Sequence, residues 1–447
     1  MSKKIIGIFL SVVLLLSMVA CGGSKDPEGD KGKDTSSGGI VEGDFSGSEY
    51  LKKDYNGAYF RFLYWYEPSE YARRKVAAFN KKFNANIEIV VTSEGLDNEL
   101  AKSVASGMPY DIVAMHGNYY PSLINSDLLE PLDTYISDAD MCDTSAPEKG
   151  GLSSDVLQTF NWKGKTYAAG SAKSIYSNMF MYNKLMFSKA GLEDPWKLYQ
   201  DGKWTWDKFT EMAYATSDIA NEICFFERPE LSVWLNINGI EFISRDGDNF
   251  KENLTNADLI AATQSYKELF LGQNPISRTV GGGGVDFLAG RAYCFLSQTD
   301  GYTMFAQRAA TSSAFARDSA NLGCVPIPVM PYNKTGKYPG HAPQGYAAGK
   351  GSSDPSIAVA FAVFESTLSD SDIGSKLQMP AEVRNAIDTA FAKGGFISYC
   401  GFKNSSGDTA VKALSEAEKA IIAGGDAVAA LNSARNVVTR AISDSVS

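Results

Sequence analysis

The sequence that determines the predicted fold reads Tyr59-Phe60-Arg61-Phe62-Leu63-Tyr64-Trp65, then Asn86-Ile87-Glu88-Ile89-Val90-Val91, then Asp111-Ile112-Val113-Ala114-Met115. Each segment is rich in apolar, β-branched or aromatic residues and predicts a strand. Apolar residues recur at helical spacing over 70–84, and 98–106 and 119–127 also suit helices. This alternation of strands and helices predicts an α/β unit with a mostly parallel sheet and helices on both faces.

The rest of the body is predicted to contain further strands and helices. Strands are predicted near 164–167, 178–182 and 292–296, an extended proline-rich segment over 325–331, and helices over 208–216, 356–368 and 411–443. The body begins at about residue 50 and is too long for one ordinary core, so we expect two lobes.

Composition excludes several classes of partner. The formal net charge of -10 argues against nucleic acid and against a basic patch for anionic lipid. Only two histidines are present and no C-x-x-C occurs, so we expect neither a metal site nor a cofactor. Most cysteines of the body are expected to be buried, and the sequence leaves open whether one pair forms a disulfide; these residues are Cys142, Cys224, Cys294, Cys324 and Cys400.

The N-terminus predicts secretion. Lys3 and Lys4 precede the apolar run Ile5–Val19, which ends in small residues, so 1–20 is predicted to be a signal peptide. The cut site before Cys21 resembles the lipobox of bacterial lipoproteins, whose cysteine is lipidated, although Met18 stands where leucine is usual. A signal peptide with a chance cysteine is the alternative. Residues 21–49 are rich in Gly, Ser, Asp and Lys and predict a flexible tether.

An aromatic loop follows the first predicted strand, where ligands bind in sheets of this kind. It reads Tyr64-Trp65-Tyr66-Glu67, and we expect Trp65 to stack on a ligand and Glu67 to accept hydrogen bonds. The alternative is that these aromatic residues continue the hydrophobic face of the strand.

Several phrases, in this order, resemble the extracellular solute-binding proteins of ATP-binding cassette importers, and above all the sugar binders similar to maltose-binding protein. They are Tyr182-Asn183-Lys184-Leu185, Gly202-Lys203-Trp204-Thr205-Trp206-Asp207, Phe287-Leu288-Ala289-Gly290-Arg291-Ala292, Val325-Pro326-Ile327-Pro328 and Gly349-Lys350-Gly351-Ser352-Ser353-Asp354-Pro355. The resemblance covers about 60–442.

The resemblance implies a two-lobed periplasmic-binding-protein-like fold of type II. Each lobe would be a mostly parallel sheet flanked by helices, with the ligand in the cleft between them. Lobe one would contain 50–167 and 346–395, and lobe two 168–345 and 396–447. The protein would be a monomer at the outer face of the membrane, with a sugar as ligand and importer permease subunits as partners.

The resemblance also implies further ligand contacts. Asn118 and Tyr119 match contact positions, Asp300 lies in a polar segment at the expected cleft wall, and Gln344 and Tyr346 lie beside the expected hinge. Trp234 is a candidate with core packing as its alternative, whereas Trp204 and Trp206 belong to a structural turn. The predicted ligand-binding residues are therefore Trp65, Glu67, Asn118, Tyr119, Trp234, Asp300, Gln344 and Tyr346.

Two other functions remain open from the sequence. A secreted glycoside hydrolase would need a pair of carboxylates, for which Glu67, Asp111 and Asp300 are available. The other function is binding of a polyol, a peptide or a metal by a protein of the same fold. His116 and the Tyr119-Tyr120 pair are conceivable ligands for a metal. The run Gly281–Gly284 lacks the lysine and Ser/Thr of a P-loop and predicts a flexible loop near the cleft.

Overall fold

A computed structural model of the chain describes residues 53–68, 70–136, 151–171, 178–277, 283–298, 301–334, 339–340, 344–368, 380–383, 385–386, 396–397 and 410–446. All of them belong to the unit Ile40–Ser447. The predicted signal peptide and tether lie outside the described residues, as do Cys21, Cys142, Asp300, His341 and Cys400. Within the described part, no helix has the length and apolar character needed to cross a membrane.

The strands are β1 (Tyr59–Tyr64), β2 (Asn86–Val91), β3 (Ile112–His116), β4 (Leu129–Glu130), β5 (Asn161–Trp162), β6 (Lys165–Thr166), β7 (Ala168–Ala169), β8 (Asn178–Asn183), β9 (Cys224–Phe226), β10 (Ile243–Asp246), β11 (Asn249–Glu252), β12 (Ala292–Gln298), β13 (Leu322–Pro326), β14 (Pro339–Gly340), β15 (Gln344–Gly349) and β16 (Phe396–Ile397).

The α-helices are α1 (Glu70–Phe83), α2 (Leu96–Ser106), α3 (Ser122–Asn125), α4 (Asp133–Ile136), α5 (Ser154–Thr159), α6 (Lys184–Lys189), α7 (Pro195–Gln200), α8 (Trp206–Thr216), α9 (Leu231–Ile237), α10 (Ala257–Leu271), α11 (Val285–Leu288), α12 (Tyr302–Ala309), α13 (Ser356–Thr367), α14 (Ala410–Ile422) and α15 (Ala427–Val446).

The first sheet joins the three predicted strands to strands from later in the chain. Its order is β2-β1-β3-β15-β4, and β7 also pairs with β15. β1 is parallel to β2 and β3, whereas β15 is antiparallel to β3, β4 and β7. Five of the six described strands in this sheet therefore run in the same direction, as the mostly parallel prediction expects, and β15 runs against them.

The second sheet has the order β13-β8-β12-β9. β8 is antiparallel to both of its neighbours, and β12 and β9 are parallel. β9, β12 and β13 therefore share one direction, and β8 runs against them. β8 carries the chain away from the first sheet, so the strands that lead back, β12 and β13, run in the opposite direction.

Alternating side chains of the first sheet fill two separate cores. Phe62 and Ile112 pack with the nearly all-apolar helix α13, whereas Leu63 and Val113 pack on the other face with residues of α2 and α3. This two-sided burial explains why the strands are apolar throughout rather than alternating.

Local capping explains several helix boundaries. Asn183, Asp194 and Thr205 accept backbone N–H groups at the starts of α6, α7 and α8. Trp204 donates its indole N–H to the Pro326 carbonyl at 2.9 Å, and Trp206 stacks on the ring of Phe209. These contacts agree with the prediction that both tryptophans are structural.

The third predicted helix, over 119–127, is shorter than expected. A 3₁₀ turn covers Gly117–Tyr119, Tyr120 is extended, and α3 begins only at Ser122. Pro121 accounts for the break, because a residue before proline disfavours helical geometry.

Pairing and packing also shift the predicted lobe boundaries. β7 and the first two residues of β15 belong to the first sheet, although the boundaries at 167 and 346 placed them in lobe two. Val383 and Ala386 pack in a core of the second sheet, although lobe one was predicted to continue to 395. The division of the whole chain into the two predicted lobes otherwise remains a prediction.

A buried ionic cluster ties β15 to the helices of the first sheet. Lys75 of α1 forms an ion pair with Glu365 of α13, and both side chains are about nine-tenths buried. The Tyr346 hydroxyl donates to Glu365 Oε1 at 2.8 Å and lies 3.3 Å from Lys75 Nζ. Each member satisfies the others in a site that excludes water.

A buried carboxylate holds the end of the glycine run. Glu227, which follows β9, accepts the backbone N–H groups of Gly284, Val285 and Phe287 at 2.9, 3.2 and 3.0 Å. Gly284 has φ +76°, and a Cβ there would lie 2.6 Å from the Phe305 ring. The described end of the predicted flexible loop is therefore held in place.

The hairpin of β10 and β11 joins the two sheets. Arg245 donates to the carbonyls of Thr159, at 2.8 Å, and Asn161. Phe250, on the same hairpin, packs with the Trp162 ring at a centroid distance of 6.0 Å and contacts the cores of both sheets.

Removing one member of the buried ion pair should strongly destabilise the protein. In Glu365→Ala, Lys75 keeps a buried charge without its partner, so we expect the free energy of unfolding to fall by about 3–5 kcal/mol. Urea unfolding followed by circular dichroism measures the change. Replacing both charges, as in K75M/E365L, should restore much of the stability. Glu94→Gln, in the exposed pair with Lys102, is the control and should change little; equal losses in both single variants would contradict the role of the cluster.

Removing the Glu227 carboxylate should loosen the start of α11. Glu227→Ala leaves the buried N–H groups of Gly284 and Phe287 and the partly buried N–H of Val285 without this acceptor, so we expect a loss of about 1–3 kcal/mol in unfolding free energy. Hydrogen exchange should accelerate at residues 284–287. Glu230→Gln, at the exposed neighbour, is the control. Unchanged exchange in Glu227→Ala would refute the clamp.

Candidate functional site

One edge of the first sheet gathers the ends of several strands. β1 and β3 are parallel and end together, and antiparallel β15 begins at the same edge with Gln344 paired to His116. β7 is antiparallel to β15, so the chain also leaves toward the second sheet from this edge. The predicted loops at 64–67 and 116–120 therefore lie at one edge, which we call the first edge.

The matching edge of the second sheet is where β8 begins. Gln298 at the end of β12 pairs with Asn178, and Pro326 at the end of β13 pairs with Met179. β9 is parallel to β12, so it ends there too, just before Glu227. We call this the second edge. The chain passes from the first edge to the second between β7 and β8 and returns between β13 and β15, and we take the two edges together as the candidate site.

Aromatic and polar groups meet at the first edge. The partly buried Trp65 ring lies 5.6 Å from the His116 ring, at 72°, and 5.0 Å from the Tyr66 ring. His116 Nδ1 accepts the backbone N–H of Asn118 at 3.1 Å. The Asn118 side-chain oxygen is buried and has no hydrogen-bond partner within the described part of the chain. Such an acceptor is costly unless a bound group donates to it.

The second edge presents mainly neutral polar side chains. Buried Asn178 donates its amide to Asn236 Oδ1 at 3.0 Å, and Ser297 and Gln298 are partly exposed beside it. Asn178 was not predicted as a site residue. Asn178 is a polar residue at the start of a strand that is fully buried, and this combination is the signal that could have indicated it.

Three predicted contacts are packed inside the protein. Trp234 is fully buried and donates its indole N–H to the Ala262 carbonyl at 2.8 Å, which agrees with the alternative of core packing. Tyr119 lies in the core beneath the first edge. Tyr346 directs its hydroxyl to the Lys75–Glu365 pair. Strand alternation turns Tyr346 into the core, and the 3₁₀ turn does the same for Tyr119.

The remaining predicted contacts lie at the edge or outside the described residues. Trp65, Asn118 and Gln344 are brought together at the first edge. Glu67 is exposed and forms an ion pair with Arg73. Burial raises the pKa of Tyr64, which ends β1, and that of Tyr302, which starts α12, so both phenols stay neutral. Asp300 is not described.

Of the carboxylates available for a hydrolase, Asp111 and Glu67 lie at opposite ends of the first sheet, and Asp300 lies outside the described residues. Asp111 precedes β3, at the far end from His116, and accepts the Arg61 backbone N–H at 3.0 Å and the Ser352 hydroxyl at 2.9 Å. Among the residues that the structure describes, no group of three His, Cys, Asp or Glu side chains could hold a metal ion. Cys224, Cys294 and Cys324 are buried and form no disulfide with one another.

Known structures share this architecture. The galacto-N-biose-/lacto-N-biose I-binding protein of an ABC transporter from Bifidobacterium longum superposes with a TM-score of 0.62 at 14% identity, covering 88% of this chain and 98% of its own. An ABC substrate-binding protein from Listeria monocytogenes, in complex with cycloalternan, gives 0.62 at 16% identity, covering 85% and 98%. A solute-binding protein from Agrobacterium radiobacter, in complex with ribitol, gives 0.59 at 17% identity, covering 87% and 100%.

These likenesses establish the fold, which is that of the two-lobed periplasmic-binding-protein-like solute-binding proteins. A sequence search of curated proteins finds no significant match. The family model for bacterial extracellular solute-binding proteins matches residues 66–364. The chain therefore belongs to the bacterial extracellular solute-binding protein family.

Proposed function

We propose that this protein captures a sugar or a related polyol for an ABC importer, binding it between the first and second edges. The observation that carries the proposal is the partly buried Trp65 ring beside Asn118, whose buried side-chain oxygen lacks a partner among the described residues. A sugar presents apolar C–H faces and hydroxyl groups. An indole face packs against the former, and amides exchange hydrogen bonds with the latter.

The described polar groups at the edges suit a neutral, hydroxyl-rich ligand. Asn118 and Gln344 lie at the first edge, Asn178 and Gln298 lie at the second, and all four are amides. Similar structures were solved with cycloalternan and ribitol, which are also rich in hydroxyl groups. Glu67 and Asp300 remain predicted contacts.

Binding would act through hinge closure rather than chemistry. Closing the lobes on the ligand would create the surface that a membrane permease recognises, and the protein would deliver its ligand as a monomer without covalent change. We further propose that lipidation of Cys21 holds this domain at the outer face of the membrane, with 21–49 as its tether.

The binding proposal is tested by a panel of neutral mono- and oligosaccharides and polyols. We expect a saturable thermal shift with one class of compound, and Trp65→Ala should weaken its affinity about tenfold in calorimetry because the stacking face is lost. Tyr214→Ala, at an exposed aromatic on α8, is the control and should bind normally. No shift across the whole panel would refute sugar and polyol binding.

The anchoring proposal is tested separately in a bacterial host. Cys21→Ser should remove the lipid, so the protein should move from the membrane fraction to the soluble exported fraction and lose labelling by a fatty acid. Cys142→Ser should remain membrane-bound and labelled. Equal release of both variants, or none, would contradict an anchor at Cys21.

A further inference from the structure

His116 has a position at the first edge that no predicted ligand contact explains. It is the last residue of β3 and only 9% exposed. Its ring meets the Trp65 ring edge-on at 5.6 Å, and its Nδ1 accepts the Asn118 N–H. Gln344 is its partner in the ladder. One imidazole therefore touches or neighbours each described residue that the proposed site uses on this edge.

The hydrogen bond determines the protonation state of the imidazole. A neutral histidine has one nitrogen that donates and one that accepts. Because Nδ1 accepts a backbone N–H, the proton must lie on Nε2. A proton on Nδ1 would point at the Asn118 N–H and remove the acceptor that closes the turn Gly117–Tyr119.

We propose that neutral His116 is the positioning residue of the binding edge. It holds the turn that carries the Asn118 amide, and it sets the angle of the Trp65 ring. This inference rests on the proposed function for what Trp65 and Asn118 do, whereas the contacts themselves do not depend on any ligand. The consequence is that acid should disassemble the edge in the range of about pH 5–8, where imidazoles gain a proton.

The described groups that neighbour His116 are mainly phenols, an amide and paired charges. From the end of β1, Tyr66 is a phenol and Glu67 is paired with Arg73. The turn contributes the phenol of Tyr119. β15 contributes Gln344, which does not titrate, and beyond it Tyr346, whose hydroxyl is bound by the Lys75–Glu365 pair.

The first experiment uses the ligand-free protein. Emission that depends on Trp65, taken as wild type minus Trp65→Phe, should change between pH 8 and pH 5 because a cation forms beside the indole. The change should be absent in His116→Asn, which retains a side-chain acceptor but does not titrate, and present in the control His341→Asn. Nitrogen NMR shifts should show Nδ1 unprotonated at pH 8. A flat Trp65 signal or a proton on Nδ1 would overturn the proposal.

The second experiment measures affinity for the tightest compound of the panel. Wild-type affinity should fall about tenfold from pH 7.5 to pH 5.5, the size expected for one lost hydrogen bond. His116→Asn should bind nearly as well as wild type at pH 7.5 and show no pH dependence, whereas His116→Phe should bind weakly at both. A pH dependence that persists in His116→Asn would overturn the proposal. If no compound binds, the proposed function fails, and the ligand-free experiment still decides the role of His116.

Discussion

The antiparallel insertion of β15 between β3 and β4 is the constraint on which the rest of the structure depends. Because β15 runs against β3, its first residue lies where β1 and β3 end. The chain must therefore return from the second sheet to the first edge, and it leaves from that edge as well, after β7. Both crossings between the sheets therefore use the edge that carries Trp65, His116 and Gln344.

Several buried charged side chains hold the strands and loops of the described scaffold. Glu227 holds the glycine run, and Lys75 and Glu365 hold β15 against two helices. A second buried pair, Arg228 with Glu418, ties the segment after β9 to α14. With these charges neutralised inside the scaffold, the described parts of the two edges present chiefly amides, a hydroxyl, an imidazole and an indole. Such a surface favours hydroxyl groups over ions, since an ionic ligand would need a compensating charge.

Much of the first lobe could be predicted, because its strands are nearly continuous apolar runs separated by short helices. The direction of β8 could not be predicted, because the pairing of strands depends on where the chain crosses between the sheets and not on local composition. The candidate site residues also divide into those that the local pattern indicates and those that depend on tertiary packing. Trp65, Asn118 and Gln344 stand directly at strand ends, which the pattern reveals. Trp234, Tyr119 and Tyr346 are buried in cores, and whether an aromatic side chain turns inward or toward a ligand depends on tertiary packing that the sequence pattern does not record. The sequence suggests His116 only as a metal ligand. Its hydrogen bond to a backbone N–H involves no second side chain, so no sequence motif indicates it.

The hairpin that carries Arg245 and Phe250 has a consequence for how the protein unfolds. Arg245 satisfies backbone carbonyls of the first lobe, and Phe250 covers apolar surface belonging to both cores. Melting of the second lobe would leave those carbonyls without a donor and expose Trp162. The first lobe should therefore not stay folded after the second has unfolded. Heat or denaturant should unfold the protein in a single cooperative transition, although it contains two sheets.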